Sequence, residues 1–227
     1  MIISDNYASF RSESREIRDL LTMCTLKVTG IGKYFSETIL FKDISFALNS
    51  GDVVAITGWN GSGKSTMLRI LAGLVRPSAG LVEMFCDNKS IPKKSRRQYV
   101  GMVAPALSLY DELTAIENME FFCRVRGITY DRKSCFNILE RVDLVKHAEK
   151  ICRTFSSGMK QRLKLVQALI HNPPFLLLDE PGCNLDSRGI KSVKNIISDQ
   201  RTCGITVIAS NEKREVDYAD SIINLSN

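Results

Sequence analysis

The segment of residues 58–65, called the phosphate loop below, contains the pattern GxxxxGK[ST] between an apolar run and a helical stretch. Glycines let the backbone turn tightly, so that its N–H groups and the N-terminus of the next helix face a phosphate group. In this pattern Lys64 would bridge the β and γ phosphates of a nucleotide, and Ser65 would ligate Mg²⁺. The context disfavours an ordinary glycine-rich turn. The candidate phosphate-binding residues are Gly58, Asn60, Gly61, Ser62, Gly63, Lys64, Ser65 and Thr66.

Two adjacent carboxylates, Asp179 and Glu180, follow the apolar run of residues 175–178. A buried strand here would bring Asp179 to the strand end beside the phosphate loop, where its oxygens can hold Mg²⁺ directly or through water. Glu180 is then placed to orient and polarise an attacking water molecule. Such a pair alone is most often a solvated turn, but beside the phosphate loop it favours a magnesium-dependent phosphate site.

The elements that must position these residues follow an alternating pattern. Short apolar runs at 53–56, 175–178 and 205–209 each lead into a loop of small or polar residues. Helical stretches lie between them, such as residues 66–72, which Gly73 is expected to end. The alternation predicts an α/β fold with βα units around a mainly parallel, buried sheet.

The strand pattern disappears between about residues 105 and 158, where we expect a helical insert. Thr114 and Glu117 have the spacing of a capping box at the start of a helix, and Gly127 can end that helix. No internal repeat or second domain is visible in the sequence.

Composition limits the function classes. The 227 residues are 44% hydrophobic and 25% charged, which indicates a globular domain and excludes disorder, collagen and coiled coil. No apolar run approaches the roughly 18 residues of a membrane-spanning helix, so any membrane role is expected to be peripheral. The net charge of +6 would suit an anionic partner but is too dispersed to identify one.

Several features of the sequence are interpreted as structural. Residues 1–24 are polar and predicted to be a loosely ordered extension, part of which could reflect the choice of start site at Met23. The seven cysteines include no CxxC pair and no apolar leader precedes them, so we expect buried, isolated thiols in a reducing cytosol. The basic cluster of residues 92–97 is expected to be a solvated turn, with anionic lipid as the alternative, and His171 to lie at the negative end of a helix dipole.

One further segment gives the motifs a common context. Residues 155–159, Phe-Ser-Ser-Gly-Met, lie some twenty residues before Asp179 and resemble the signature motif of ATP-binding cassette (ABC) ATPases. Ser156 has the position of a helix cap, and the apolar stripe of that helix comprises Met159, Leu163, Val166 and Ile170. In that family the motif, here Ser156 and Gly158, reaches the γ phosphate bound to the partner subunit of a head-to-tail dimer.

The resemblance covers about residues 25–227 and implies two more contacts. Phe35 matches the aromatic residue that stacks on adenine, with Tyr34 as the second choice and an ordinary strand-edge aromatic as the alternative. Asp186, in Asn-Leu-Asp after the catalytic glutamate, matches the acidic residue of the loop that contacts the opposite subunit. The alternative for Asp186 is a helix N-cap.

The sequence departs from the family pattern at two positions. Pro105 stands where a glutamine usually contacts Mg²⁺ and the attacking water, and proline can do neither. Asn211 stands where a histidine usually holds the γ phosphate; an amide donates one hydrogen bond but takes up no proton. We therefore expect Lys64, Glu180 and Asn211 to act in slow ATP hydrolysis that depends on dimerisation.

The resemblance implies a P-loop nucleoside triphosphatase fold with N-terminal antiparallel strands before a mainly parallel core. It implies the nucleotide-binding subunit of an ABC transporter, with ATP and Mg²⁺ as ligands and a homodimer or paired cassette as the active form. The partner would be an integral membrane permease that docks near residues 110–122, at the cytoplasmic face of the membrane. The compact length of the chain is similar to that of small exporter cassettes, including those that resemble cytochrome c haem exporters.

Other functions stay open at this stage. A soluble cassette acting on ribosomes, DNA repair or Fe–S assembly would keep the fold, although no nucleic acid is expected as a partner. A regulatory cassette that binds ATP with little hydrolysis would explain Pro105 and Asn211. A small-molecule kinase would leave the signature motif and Asp186 unexplained.

Overall fold

The computed structural model describes residues 23–35 and 38–225. The predicted N-terminal extension therefore lies outside the described residues except for Met23 and Cys24, and the first strand begins at Cys24. The strands, in chain order, are β1 (Cys24–Phe35), β2 (Thr38–Asn49), β3 (Val53–Thr57), β4 (Ala79–Cys86), β5 (Lys89–Ser90), β6 (Val100–Val103), β7 (Phe175–Asp179), β8 (Ile205–Ala209) and β9 (Ser221–Asn224).

The helices occupy the intervals between these strands, as the alternating pattern predicts. Short 3₁₀ turns occur at Lys93–Ser95, Val145–His147 and Cys152–Thr154. The α-helices of the described residues are α1 (Lys64–Leu71), α2 (Arg96–Tyr99), α3 (Ala115–Arg126), α4 (Arg132–Arg141), α5 (Ser157–Leu169), α6 (Ser187–Gln200) and α7 (Lys213–Val216).

A five-stranded parallel sheet forms the centre, in the order β6-β7-β8-β3-β9. The side chains along each strand alternate between two apolar layers, because successive side chains point to opposite faces of a sheet. Phe175 and Leu177 of β7 face one layer, whereas Leu176 and Leu178 face the other. Burial on both faces explains why these strands read as continuous apolar runs. The predicted parallel core is confirmed.

The second sheet is antiparallel, in the order β2-β1-β4-β5, which confirms the expected antiparallel strands. It covers α1 and the first apolar layer. Cys24 of β1 and Cys86 of β4 face each other in register and form a disulfide. The expectation of isolated thiols is wrong for this pair, because their strands meet only in the fold. Cys123, Cys135 and Cys152 are buried free thiols as expected, whereas the expected burial is wrong for Cys183 and Cys203, which are exposed.

The expected helical segment contains α3, α4 and the start of α5. The Thr114 hydroxyl accepts from the Glu117 N–H, and the Glu117 carboxylate accepts from the Thr114 N–H, so the predicted capping box is present. Gly127 ends α3 with a left-handed φ of 72°. In α5 the predicted apolar stripe is buried at Leu163 and Val166, and its remaining members pack against the same layer.

Two structural interpretations need correction. Arg96 is not solvated: it is buried, and its guanidinium donates to the carbonyls of Leu71 and Val82. Burial, and then the positive charge of Arg126, lower the pKa of His171 to about 4. This imidazole is thus neutral at neutral pH and cannot act as a cation on the helix dipole.

No helix in the described part of the chain is both long enough and apolar enough to cross a membrane.

Candidate functional site

The carboxyl ends of β3, β8 and β7 bring the predicted site residues to one edge of the sheet. Ala209 pairs in register with Ile56 on one side and with Asp179 on the other. Hydrogen bonds continue beyond the strands, since the Ser210 N–H donates to the Ile56 carbonyl and the Glu180 N–H donates to the Ala209 carbonyl. The phosphate loop, Glu180 and Asn211 therefore emerge side by side.

The phosphate loop is shaped by left-handed glycines, with φ of 93° at Gly61 and 99° at Gly63. A Cβ at Gly63 would lie 2.6 Å from Leu40 Cδ2, so only glycine fits under the antiparallel sheet there. Gly63 also caps α1, whose first turn has neither a side-chain cap nor an acidic residue. The first N–H groups of α1, at Lys64, Ser65 and Thr66, thus point out of a positive helix end that suits an anion.

Lys64 folds back into the phosphate loop. Its side-chain Nζ donates to the Gly58 carbonyl at 2.7 Å and to the Trp59 carbonyl at 3.3 Å, and the residue is only 7% exposed. These partners are neutral, so the ammonium is held in place without its charge being cancelled. Ser62 is buried beneath the loop, and its Oγ has no partner among the described residues. Asn60 and Gly61 form the exposed crest.

Asp179 and Ser65 provide the oxygens that fit a magnesium ion. Burial raises the pKa of Asp179, a hydrogen bond with Ser65 opposes this, and the nearby Glu180 raises it further. One oxygen of the 2% exposed carboxyl group, Oδ2, has no hydrogen-bond partner in the described part of the chain. A buried carboxylate with a free oxygen beside a serine hydroxyl matches the hard oxygen ligands that Mg²⁺ requires.

Glu180 opens a loop, residues 180–186, which we call the glutamate loop. Its φ of 47° lies in the left-handed region, which is uncommon for a non-glycine residue and marks a constrained position. The side chain is exposed to solvent. Gln161 of α5 donates from Nε2 to the carbonyls of Glu180, at 3.4 Å, and Pro181, at 3.2 Å. Gln161 was missed from the sequence, where its only signal is a position on the polar side of α5.

The two departures from the family pattern also lie at this edge. The Oδ1 of Asn211 accepts from the Gly58 N–H at 3.2 Å, which ties the segment after β8 to the phosphate loop. Pro105 follows β6 and is exposed, and its carbonyl accepts from Lys164 Nζ at 3.2 Å. Burial lowers the pKa of Lys164. Lys164, like Gln161, lies on α5 and was not predicted.

The signature segment and Asp186 are both helix starts. The Ser156 hydroxyl caps α5 by accepting from the Met159 N–H at 3.2 Å, and Ser156 is exposed. A Cβ at Gly158 would lie 2.8 Å from the Asn184 carbonyl oxygen, so the start of α5 touches the glutamate loop. Asp186 caps α6 by accepting from the Gly189 N–H at 2.8 Å. Within one chain, Asp186 thus has the helix-cap role.

The two candidate adenine-stacking residues lie at the end of β1. Phe35 is 54% exposed and Tyr34 is 40% exposed. Lys33 Nζ lies 4.8 Å from the centroid of the Phe35 ring, in cation–π geometry. The lysine covers one face of that ring, so a planar base would stack on the other.

The fold and the phosphate loop define a P-loop nucleoside triphosphatase, and the comparisons identify the family within this class. The family model for ABC transporters matches residues 41–182, more than half of the chain. The chain therefore belongs to the ABC transporter family of ATP-binding proteins.

Relatives in this family include proteins of several transport systems. The bacitracin transport ATP-binding protein BcrA of Bacillus licheniformis is 34% identical over 76% of this chain and 56% of its own length. The cytochrome c biogenesis ATP-binding export protein CcmA of Mannheimia succiniciproducens is 32% identical over 88% of this chain and 94% of its own length. The chain spans 63% of the linearmycin resistance ATP-binding protein LnrL of Bacillus subtilis.

A solved ATP-binding cassette, dimeric in a post-hydrolysis state and bound to ADP and Pi, superimposes with a TM-score of 0.74. It is 26% identical, and the match covers 88% of this chain and 94% of that one. The expected fold class is confirmed by this likeness together with the two sheets described above.

Proposed function

We propose that this chain is the nucleotide-binding subunit of an ABC transporter, which binds and hydrolyses MgATP as a head-to-tail dimer and thereby drives a separate membrane permease. The observation that carries the proposal is the edge of the sheet at which Lys64, Asp179 and Glu180 lie, at the carboxyl ends of β3 and β7 on the two sides of β8. These three residues supply a cation, a magnesium ligand and a water-orienting carboxylate. No two of them are close in sequence except Asp179 and Glu180.

The phosphate loop binds and orients the triphosphate. Its N–H groups and the Lys64 ammonium donate to phosphate oxygens, and the developing negative charge on those oxygens is stabilised where it forms. Ser65 and Asp179 would hold Mg²⁺, which supplies Lewis-acid stabilisation of the phosphate oxygens. Glu180 orients the attacking water and accepts its proton, and the constrained backbone at Glu180 limits the directions that its carboxylate can take.

The opposite subunit completes the site in this proposal. Ser156 and Gly158 are at the N-terminus of α5, which carries a partial positive charge. Ser156 is exposed, so a second copy can present this helix end to the γ phosphate, as the dimeric cassette relative suggests. Asp186 is also exposed at the end of the glutamate loop and can contact that copy while it caps α6. Phe35 would stack on adenine.

We expect turnover to be slow. Asn211 has its amide oxygen engaged by the Gly58 N–H, and it cannot take up a proton. Pro105 offers only a backbone carbonyl, which Lys164 already occupies. Both positions weaken the contacts around the attacking water while the phosphate and magnesium ligands are intact.

The permease would dock on an aromatic cluster of the helical insert, at the cytoplasmic face of the membrane. Tyr110 and Phe121 have ring centroids 4.7 Å apart, and Phe121 and Phe122 are 5.5 Å apart. Tyr110 is 46% and neighbouring Val125 63% exposed. The buried Asn118 fixes this cluster by bonding the Tyr110 N–H and carbonyl. Exposed aromatic residues of this kind favour a protein partner over nucleic acid.

The branch of the family is a finer proposal. Similarity to CcmA over nearly its whole length supports a small exporter of the haem-export type, but the bacitracin relative is equally similar in sequence. Copurification of the permease, followed by its identification, decides between them.

A direct comparison of wild type and Glu180→Gln tests the activity. We expect the wild type to hydrolyse MgATP and the variant to lose about a hundredfold or more in turnover at unchanged ATP affinity, because only a water-activating carboxylate is removed. Equal rates would contradict the proposal. Tight ATP binding with no turnover in either protein would instead favour the regulatory cassette that Pro105 and Asn211 suggest.

A further inference from the structure

Glu215 is a buried carboxyl group that neither the motifs nor the mechanism above uses. It lies in the short helix α7, four residues after Asn211, and is only 2% exposed. Its Oε1 accepts from the Gly182 N–H at 2.8 Å, and Oε2 has no partner in the part of the chain that the structure describes. No ion pair to Glu215 is formed within the described ranges. A carboxyl group is costly to bury for a single hydrogen bond, so its position calls for a reason.

The contact between Glu215 and Gly182 leaves no space for a larger residue at position 182. A Cβ at Gly182 would overlap Glu215 Oε1, so only glycine allows the carboxyl group to reach this N–H. Gly182 lies two residues after Glu180 in the glutamate loop, and the Cys183 N–H donates back to the Glu180 carbonyl at 3.1 Å. The Glu180 carbonyl thus accepts from both Gln161 Nε2 and the Cys183 N–H, and Glu215 bonds Gly182, which precedes Cys183 in this turn.

The other end of Glu215 is attached to the segment that carries Asn211. The Glu215 N–H donates to the Glu212 carbonyl at 2.9 Å, and the Glu212 N–H donates to Ser210 Oγ at 3.0 Å. Asn211, between them, contacts the Gly58 N–H. Hydrogen bonds thus connect the phosphate loop, the Asn211 segment and the glutamate loop.

We propose that Glu215 is a positioning residue for hydrolysis: through the Gly182 N–H it fixes the backbone of Glu180 relative to Asn211 and the phosphate loop. The inference rests on the proposed ATPase function. Its consequence is that losing the carboxyl oxygen lowers turnover and leaves nucleotide binding intact, because the phosphate and magnesium ligands do not touch Glu215. A displacement of about 1 Å at a reacting group is enough to slow catalysis by up to about a hundredfold.

The test uses steady-state MgATP hydrolysis and equilibrium ATP binding by the full chain. We expect Glu215→Ala to lower kcat about tenfold or more and to change the ATP Kd by less than about twofold. Glu215→Gln retains an oxygen that can accept from Gly182, so its kcat is expected to stay within about threefold of wild type. Asp217→Ala, an exposed acidic residue two positions further on, is the matched control and keeps wild-type kinetics.

Gly182→Ala perturbs the same contact from the other side; its Cβ would also lie 2.8 Å from Ile190 Cδ1, the end of a flexible side chain that can move. It is expected to lower kcat like Glu215→Ala, and the double variant loses no more than the worse single variant, because both act through one hydrogen bond. The amplitude of the thermal unfolding transition shows how much of each preparation is folded, and kcat is expressed per ATP-binding site.

The outcomes separate the two proposals. If the wild type hydrolyses ATP and Glu215→Ala has the same kcat, or if kcat and ATP affinity fall together, the positioning role is wrong and the ATPase function stands. If the losses of Glu215→Ala and Gly182→Ala simply multiply in the double variant, the shared contact is wrong. If the wild type does not hydrolyse ATP, the proposed function fails, and the role of Glu215 fails with it.

Discussion

The phosphate loop and the glutamate loop lie at the same edge of the parallel sheet, but they are held by different kinds of contact. Lys64 is bound by carbonyls five and six residues away in its own loop, and the loop shape follows from its glycines. The glutamate loop is held by Gln161 and Glu215, side chains from segments 19–20 and 33 residues away. Nucleotide binding thus depends on a local motif, whereas hydrolysis depends on tertiary contacts.

This difference predicts that substitutions in the two loops affect different properties of the protein. Changes in the phosphate loop should weaken ATP binding, and changes around the glutamate loop should slow turnover at normal affinity. It also explains how Pro105 and Asn211 can differ from the family pattern without loss of the phosphate and magnesium ligands.

Lys64→Ala is expected to have the largest effect. Loss of charge-assisted hydrogen bonds to phosphate oxygens costs about 3 kcal/mol, which is about a hundredfold in ATP affinity. Isothermal titration with MgATP measures this change. Lys194→Ala, at an exposed position of α6, is the control and keeps wild-type affinity. A Lys64→Ala protein that binds normally but turns over slowly would reverse the assignment of the two loops.

Asn211→His is expected to raise turnover by about tenfold, because an imidazole reaches further than an amide and can take up a proton near neutral pH. ATP affinity should change little. Asn211→Gln provides reach without proton uptake and separates the two contributions. Unaltered kcat in both variants would show that this position does not limit hydrolysis.

Gly158→Ala tests the contact between the start of α5 and the glutamate loop. The added Cβ would lie 2.8 Å from a backbone carbonyl oxygen, which cannot move as freely as a side chain. We expect a loss of about 3 kcal/mol in the free energy of unfolding, measured by urea denaturation, together with a lower kcat. Ser157→Ala, next to it and exposed, is the control. Wild-type stability would mean that the two segments are less closely packed than described.

The smallest effect on the site is expected from acid, at His171. Its pKa in the folded state, about 4, is below the ordinary value of 6.5, so the unfolded chain takes up a proton first as the pH falls. The contribution of His171 to the free energy of unfolding is fully present above pH 6.5. It decreases as the pH falls from the ordinary pKa to the lowered one, and about 2 kcal/mol is lost near pH 5. His171→Gln should flatten that part of the stability curve without changing kcat. A parallel loss in wild type and variant would exclude His171 as the cause.

Features with local signals could be predicted from the sequence. The central strands, the capping box at Thr114 and the stripe of α5 follow from apolar spacing and from cap residues that act within one turn. The phosphate loop could also be predicted, because its glycines and Lys64 lie within one short segment of the sequence.

Features that require distant segments to meet could not be predicted. Cys24 and Cys86 are 62 residues apart, and Arg96 is buried because carbonyls of Leu71 and Val82 satisfy it. The contact of Glu215 with Gly182 belongs to the same class. The sequence contains these residues without any spacing that connects them.

In the proposed dimer, Lys64 of one copy and Ser156 of another copy form one site, and mixing two inactive variants tests this arrangement. A Lys64→Ala chain lacks the ammonium that contacts the phosphate. In a Ser156→Arg chain, the arginine side chain blocks the N-terminus of α5. Random pairing in a mixture creates dimers with one intact site, so ATPase activity should return to about a quarter of the wild-type rate. A mixture no more active than either variant alone would contradict the claim.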